Sequence, residues 1–275
     1  MIVSLSRLLI GAAVVMLLGL SSITESSAQI TEITDITEPK APTKGELIVS
    51  QPHILTLKDV SFDKEQGSID AYKGKYQHII IPDNFAGIAV TEISDYAFSD
   101  VEDIDEDAVP ANQLISVVLP DTITYIGEGA FQRNALTKIA IPSAVTRIDY
   151  NAFAENALTQ VDIPDSVVEI VEGAFRDNAI ELLTLGKSVS IIEDYAFANN
   201  AINKLNLPSS LTEIGNEAFA NNAITQVLIS KNITYIGFDA FIGNPLIGRP
   251  IRHFGKKKPP RELTEEEWLE ALGDL

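Results

Sequence analysis

One short unit of sequence recurs along the second half of the chain at a fixed interval. Each copy ends in the dipeptide Ala-Phe, and successive phenylalanines are 22 residues apart. They lie at positions 131, 153, 175, 197, 219 and 241. A period between about 20 and 29 residues is typical of solenoids in which every repeat forms one coil. The sequence therefore predicts a stack of coils, each burying apolar surface that a single coil cannot bury alone.

Within each copy, the apolar residues follow the pattern of a strand, a return segment and a turn. Val161 and Ile163 alternate at the strand period, so both point to one face. Pro164 ends this strand because proline has no N–H to continue the ladder. Val167 and Ile170 supply a second buried pair on the returning side of the coil. A polar turn follows, and we expect a helical or 3₁₀ turn at the Ala-Phe pair.

An asparagine opens every copy, where the chain turns inward. A buried turn leaves backbone N–H and C=O groups that need partners, and an amide side chain can donate and accept at once. We predict that these asparagines form a structural ladder, which we call the Asn ladder: Asn134, Asn156, Asn178, Asn200 and Asn222. The alternative interpretation is a row of amides that binds a ligand.

The whole pattern, N-x-L-x-x-I-x-I-P-x-x-V-x-x-I-x-x-x-A-F, resembles the BspA-like class of bacterial leucine-rich repeats. The stretch from Tyr72 to Phe98 also resembles the first repeat of that family, so the resemblance covers about residues 68 to 247. It implies a leucine-rich repeat solenoid, mainly β with few helices. A parallel β-sheet would lie on the concave face, with short strands and 3₁₀ or helical turns on the other. The family further implies a secreted or surface-exposed protein with an adhesive or protein-binding role and no catalytic residues.

The start of the chain has the features of a secretory signal peptide. Arg7 precedes an apolar run from Leu8 to Leu20, and Ser26-Ser27-Ala28 offers small residues for cleavage after Ala28. The run is shorter than the roughly 20 residues that a membrane-spanning helix needs. We therefore predict a signal peptide over residues 1–28 and an exported protein without a membrane span after cleavage. An uncleaved anchor is the alternative.

The rest of the chain divides into four segments. Residues 29–45 are of low complexity and rich in proline, which favours a flexible linker. Residues 46–76 are predicted to cap the array at its N-terminal end, and residues 77–247 form the repeats. Residues 248–275 hold a basic stretch and a predicted helix, for which Thr264 and Glu267 form a capping box. That helix is interpreted either as a cap on the last coil or as a partner-binding helix with Trp268 as its anchor.

An acidic insertion at about residues 99–109 separates the first repeat from the second. It has six acidic residues among the eight from position 100 to position 107. Asp103, Asp105 and Asp107 match positions 1, 3 and 5 of an EF-hand calcium loop, but Ala108 and Leu114 stand where the turn glycine and the bidentate glutamate belong. A solvated loop is the favoured interpretation, and calcium binding stays open.

The composition of the chain argues against several classes of function. The chain of 275 residues has a formal net charge of −19, which argues against nucleic acid because phosphates demand clusters of Lys and Arg. With no cysteine there is no disulfide, no thiol chemistry and no Cys-based metal site. The three histidines, His53, His78 and His253, lie far apart in sequence. We therefore predict no catalytic residues, no metal site and no cofactor.

The outward-pointing strand residues are the candidate binding surface. They line up from coil to coil because the period is fixed, and we call them the outward strip. It consists of Lys138, Ala140, Gln160, Asp162, Leu182, Thr184, Lys204, Asn206, Gln226 and Leu228. Its residues are nearly neutral in sum, although the chain is strongly acidic. This contrast favours a non-enzymatic protein that binds a protein partner through its concave face at the cell surface or in the periplasm. The alternative is a structural spacer or envelope scaffold. The partner and the oligomeric state stay open.

Overall fold

A computed structural model describes residues 51–99, 114–247, 251–252 and 254–255, all within one compact unit. The predicted signal peptide, the linker, the acidic residues of the insertion and the C-terminal helix lie outside the described residues. The described part contains short strands and no helix. The strands are β1 (His53–Ile54), β2 (Val60–Asp63), β3 (Ser68–Tyr72), β4 (His78–Ile80), β5 (Asn84–Phe85), β6 (Ile88–Ala89), β7 (Glu92–Ile93), β8 (Ser116–Val118), β9 (Tyr125–Ile126), β10 (Arg147–Ile148), β11 (Gln160–Asp162), β12 (Glu169–Ile170), β13 (Leu182–Thr184), β14 (Ile191–Ile192), β15 (Glu213–Ile214) and β16 (Tyr235–Ile236).

The first segments of most coils contribute to a parallel sheet, which we call the front sheet. β1, β4 and β8 pair in that order, and β11 pairs with β13. Single parallel bridges join Lys138 to Gln160 and Leu182 to Lys204, so the row continues between and beyond these strands. Val161 in β11 is fully buried between two exposed neighbours. The predicted parallel sheet is confirmed.

The returning segments form a second row of strands, which we call the return sheet. It comprises a group in the order β2-β3-β7-β9 and a continuous group in the order β10-β12-β14-β15-β16. All pairs are parallel except the β2–β3 hairpin at the N-terminal end. In the second group Ile170 lies between Ile148 and Ile192, and all three are fully buried. Each return strand therefore stacks its isoleucine on the previous one.

A row of aromatic rings runs through the core between the coils. From Phe98 to Phe241 the ring centroids are 5.0–5.6 Å apart, and neighbouring planes lie within 14° of parallel. The rings of the five central copies, from Phe131 to Phe219, are fully buried. Each stacked pair contributes roughly 0.5–1.5 kcal/mol beyond the burial of its surface. The recurrence of Ala-Phe thus produces one continuous core.

The segment that carries Ala-Phe is a hydrogen-bonded turn, not the helical or 3₁₀ turn that the pattern suggested. Ala152 N–H donates to Asp149 O at 3.2 Å, and Ala154 N–H donates to Asn151 O at 3.0 Å. Asn151 has a φ of 50°, in the left-handed region. One left-handed residue interrupts a right-handed helix because the peptide planes no longer align. These bonds therefore stay isolated.

The left-handed conformation recurs at two positions of every coil. One directly precedes Ala-Phe and the other directly precedes the ladder asparagine. The first set is Tyr96, Gly129, Asn151, Gly173, Tyr195, Glu217 and Asp239, and the second is Arg133, Glu155, Asp177, Asn199, Asn221 and Gly243. Gly, Asn and Asp fill over half of these positions, and these residues tolerate positive φ best.

Candidate functional site: the outward strip of the front sheet

All ten residues of the outward strip are solvent-exposed. Lys138, Gln160, Leu182 and Lys204 lie side by side on neighbouring coils, joined by parallel bridges. Asp162 lies beside Thr184 in a second column. The remaining members continue these columns at the repeat interval: Ala140 and Asn206, then Gln226 and Leu228 on the last coil. The strip is thus two columns wide and five coils long.

The strip differs in net charge from the chain as a whole. It holds two lysines against one aspartate, in a protein of net charge −19. Gln160 Nε2 donates to Asp162 Oδ2 at 2.9 Å, which engages the only carboxylate of the strip. Leu182 is 57% exposed and Leu228 is 90% exposed. The surface can therefore offer amides, ammonium groups and apolar contacts to a partner.

The second column extends further towards the N-terminal end than the sequence suggested. Ile54 pairs with Ile80, and Ile80 pairs with Val118. The side chains of Ile54 and Val118 are about half exposed, so this end of the column is apolar. The alternation Ser116-Val117-Val118 was the available signal, because Val117 is buried between two more exposed residues. Because the acidic insertion interrupts the 22-residue spacing, the sequence did not show that these residues align with the outward strip.

Beside this apolar end lies a small aromatic and polar group. The rings of His53 and Tyr76 stack with centroids 3.5 Å apart. His53 Nε2 is 3.1 Å from Asp59 Oδ2. Burial alone would raise the pKa of Asp59, but hydrogen bonds from His53 and Thr56 outweigh it and lower the pKa below its usual value. This group joins β1 to Asp59 and Tyr76 at the N-terminal end of the array.

The asparagines of the Asn ladder each connect two neighbouring coils. Asn178 Oδ1 accepts from Leu158 N–H at 3.0 Å. Its Nδ2 donates to Phe153 O at 2.9 Å and to Phe175 O at 3.1 Å. Asn134, Asn156, Asn200, Asn222 and also Asn244 repeat these contacts. The donor and acceptor of each amide are thus engaged by backbone groups of neighbouring coils.

A shallow notch lies on the turns that follow the return sheet. It has a volume of about 330 Å³, and Tyr150, Tyr195 and Arg176 contribute to its lining. Gly173 leaves room for the notch because it has no side chain. The neighbouring coils have Asn151 and Tyr195 at the equivalent position. Arg176 donates to Asn151 Oδ1 at 3.0 Å and pairs with the carboxylates of Glu155 and Asp177. Its charge is therefore already matched within the protein.

The tyrosines on the turns act as hydrogen-bond donors to carboxylates. A hydrogen bond to Glu128 raises the pKa of Tyr96 to about 12. Burial, followed by the charge of Asp149, raises the pKa of Tyr125 to about 12. Both phenols are therefore neutral near physiological pH. In residues 51–99 and 114–247 the His, Asp and Glu side chains form no cluster of three that could hold a metal ion.

Leu114 shows where the hypothetical calcium loop would end. This residue is fully buried, and its N–H donates to Asn134 Oδ1 at 2.8 Å. It occupies the core leucine position of the repeat and leads into β8. The acidic residues that precede it lie outside the described part of the chain.

Stacked coils of this length, two parallel sheets and a ladder of asparagines define a leucine-rich repeat solenoid. The sequence matches the family described as BspA type leucine-rich repeat region, with six copies, over residues 70–178, 102–222 and 146–248. These spans cover more than half of the chain. The chain belongs to the BspA-type leucine-rich repeat family. Comparison with curated proteins gives no match.

Solved structures of other leucine-rich repeat proteins are similar to the chain. A leucine-rich cell surface protein from Faecalibacterium prausnitzii is 25% identical, with a TM-score of 0.46, covering 66% of this chain and 54% of its own. The pneumococcal vaccine antigen PcpA is 23% identical, with a TM-score of 0.50, covering 61% and 46%. A leucine-rich repeat protein from Bacteroides ovatus is 19% identical, with a TM-score of 0.40, covering 66% and 60%. The chain thus spans about half the length of the first two.

The family suggests a role in protein recognition and is typically non-enzymatic. No helix that is both long and apolar enough to cross a bilayer occurs in the described part of the chain.

Proposed function

We propose that this chain is an exported, non-enzymatic protein that binds a protein partner through the outward strip of its front sheet. Its role would be adhesion or recognition at the cell surface or in the periplasm. Family membership supports protein recognition. The cationic start, the apolar run and the small residues before Ala28 support export.

The observation that carries the proposal is the contrast between the strip and the rest of the surface. Leu182 and Leu228 are exposed on the strip, and Lys138 and Lys204 outnumber its one aspartate. A solvated surface of a strongly acidic chain has no structural need for this composition. Contiguous exposed apolar surface with a polar margin is typical of protein-binding sites. The apolar extension at Ile54 and Val118 enlarges the same surface.

The return sheet offers a matched control for a test by mutation. In the front variant, Leu182→Asp and Thr184→Lys change two exposed residues of β13. In the control variant, Val168→Asp and Thr146→Lys change two exposed residues that directly precede β12 and β10 of the return sheet. Both pairs replace one aliphatic residue by aspartate and one threonine by lysine, so the net charge of the chain stays the same. No core residue is altered in either variant.

The parent domain and both variants serve as baits against extracts of the source organism and its surroundings. We expect the parent and the control variant to retain the same protein, and the front variant to bind it with a loss of about 2 kcal/mol or more, roughly thirtyfold in affinity. Circular dichroism and thermal melting should stay near the parent values. Binding lost in the control variant alone would place the contact on the return sheet. A domain that retains no protein specifically would support the spacer interpretation instead.

Export has a separate test. Expression in a bacterial host with its own signal peptide should yield a mature protein that begins after Ala28, as read by mass spectrometry. An intact chain that keeps residues 1–28 would contradict cleavage and favour an anchor.

A further inference from the structure

Two coils have a glycine directly before Ala-Phe, and in one of them a ring from the preceding coil covers it. The two glycines are Gly129 and Gly173, with φ of 55° and 66°. Over Gly129 lies the ring of Tyr96, whose atoms occupy the place that an added Cβ would take. The Tyr96 hydroxyl donates to the carboxylate of Glu128. The fold thus contains its own example of a phenol ring lodged over a glycine between two coils.

The space over Gly173 has the same acceptor residue but no ring. Glu172 stands two repeats after Glu128, at the same position of its coil, and it lines the notch. The coil before Gly173 has Asn151 at the position that Tyr96 occupies. The shorter asparagine side chain brings only its Oδ1 over Gly173. A volume of about 330 Å³ is left open.

The notch presents polar groups that the described residues do not engage. Asn151 is only 8% exposed, and its Oδ1 accepts from Arg176 Nε at 3.0 Å. Among the described residues, neither Asn151 Nδ2 nor the hydroxyl of Tyr150 has a hydrogen-bond partner. A nearly buried amide donor without a partner is costly. It therefore favours a ligand that supplies an acceptor atom at this place.

The walls of the notch are suited to a flat ring. Tyr150 and Tyr195 line it from the coils before and after Gly173, and they are 36% and 39% exposed. Two coil spacings separate these tyrosines along the array, which is about 10 Å. A ring halfway between them lies about 5 Å from each, a distance at which aromatic pairs attract. The planar guanidinium of Arg176, which also lines the notch, can stack on an aromatic face.

We propose that the notch binds a tyrosine side chain of a partner protein, with the phenol ring over Gly173 as Tyr96 lies over Gly129. The hydroxyl donates to Glu172, and its oxygen accepts from Asn151 Nδ2. A cationic side chain would offer no acceptor to the amide, and a phenylalanine would offer no donor to the carboxylate. The site lies on the turns and does not depend on the function assigned to the outward strip.

Amides of single amino acids test the site without knowledge of the partner. We expect N-acetyl-tyrosinamide to receive saturation transfer from the full chain in ligand-observed NMR. It should bind about fivefold more tightly than N-acetyl-phenylalaninamide, which lacks the hydroxyl. Glu172→Gln should reduce this preference to about twofold, because a hydrogen bond to a neutral acceptor is weaker than one to a carboxylate.

A second variant fills the notch with a ring of the chain itself. Asn151 has a φ of 50° and Tyr96 a φ of 54°, so Asn151→Tyr can place its ring over Gly173 and should abolish binding. Asp239→Tyr is the matched control. It adds a tyrosine at the same position of the last coil, where φ is 52°, and should leave binding unchanged. Circular dichroism checks that both variants are folded.

Four outcomes would overturn the proposal. The first is an absence of saturation transfer to the tyrosine amide, and the second is equal binding of the two amides. The third is binding that survives Asn151→Tyr in a folded protein, which would place the ring elsewhere. The fourth is transfer to methyl β-glucoside but not to the tyrosine amide, which would assign the notch to a saccharide. Should Asn151→Tyr fail to fold, Glu172→Gln decides, and an undiminished preference for the tyrosine amide would contradict the proposal.

Discussion

The front sheet and the return sheet are built from the same coils, yet they are held together differently. The second group of the return sheet is five strands in unbroken parallel register, from β10 to β16. Its hydroxyls add to the pairing: Thr212 Oγ1 donates to Ser190 O at 3.1 Å, and Thr234 Oγ1 donates to Thr212 O at 3.2 Å. The front sheet is interrupted, and single bridges at Lys138 and Lys204 replace whole strands.

The two sheets also differ in whether their outward side chains make structural contacts. On the return sheet the residues between the buried positions take part in structure, as Arg147 does by pairing with Glu169 at 3.5 Å, and Glu213 is buried. On the front sheet the spacing of the coils is maintained from inside, by the Asn ladder and the phenylalanine stack. Its outward side chains are exposed, and this supports the proposal that the front sheet binds a partner.

The largest expected effect tests whether the Asn ladder supports the front sheet. Asn178→Ala leaves Leu158 N–H without its acceptor and removes one of the two amide donors at each of the Phe153 and Phe175 carbonyls. This should lower the free energy of unfolding by about 1–3 kcal/mol. Hydrogen exchange should accelerate at the Leu158 amide while the amide of Val168, on the return sheet, stays protected. Asn206→Ala is the matched control on the outward strip and should change stability by less than about 0.5 kcal/mol. Equal costs for the two variants would refute the ladder as a support.

The next effect concerns the turn that leads from the return sheet towards the front. Gly173 has a φ of 66°, and an added Cβ would overlap Asn151 Oδ1. Gly173→Ala should therefore cost about 1–2 kcal/mol for the left-handed backbone, with a further penalty for the overlap. Gly87 has a φ of 87° and no atom near an added Cβ, so Gly87→Ala isolates the backbone contribution. Urea unfolding of both proteins measures the difference, and a Gly173 variant no worse than the Gly87 variant would show that the turn can relax.

A smaller effect compares equivalent residue types on the two sheets. Thr212→Val removes the hydroxyl that bonds to Ser190 O on the return sheet and should cost about 0.5–1.5 kcal/mol. Thr184→Val on the front sheet alters an exposed side chain and should stay within about 0.5 kcal/mol of the parent. Thermal unfolding of the pair decides whether the return sheet depends on its hydroxyls. The reverse ranking would mean that Thr184 has a structural role and is a poor choice for a binding test.

The smallest effect is a pH dependence located at the turns. Burial alone would raise the pKa of Glu155, but hydrogen bonds from Gln132 and Arg133, with the charge of Arg176, lower it below its ordinary value of 4.5. A lowered pKa in the folded state means that the ionised carboxylate stabilises the fold. Its contribution is present above pH 4.5 and is lost as the pH falls through the lower folded value.

Glu155→Gln should therefore reduce stability near neutral pH by about 0.2–1 kcal/mol. The difference from the parent should shrink as the solution is acidified below pH 4.5. Guanidine unfolding at several pH values is the measurement. A difference that grows on acidification would contradict the assigned sign.

The architecture could be predicted from the sequence alone because the same residue types recur at a fixed interval. The spacing of Phe131, Phe153 and their counterparts predicted the number and length of the coils, since only one stacking brings all of these rings into a common core. The alternation of Val161 and Ile163 was likewise sufficient for the outward strip, because the strand period fixes which side chains face solvent. The positions directly before Ala-Phe and directly before the ladder asparagine are rich in Gly, Asn and Asp, which indicates left-handed residues. We nevertheless expected a helical turn at Ala-Phe.

Other features depend on distances between coils that no periodic pattern encodes. The extension of the strip through Ile54 and Val118 depends on how the first coils pair across an irregular spacing of sequence. The unbroken second group of the return sheet and the interrupted front sheet contain similar apolar patterns, and only the register of backbone hydrogen bonds distinguishes them. The sequence determined that this protein is a stack of coils with a repeated outer surface. The tertiary structure decided which of the two sheets is continuously hydrogen-bonded from coil to coil. This depends on where neighbouring coils place their donors and acceptors, which the sequence period does not specify.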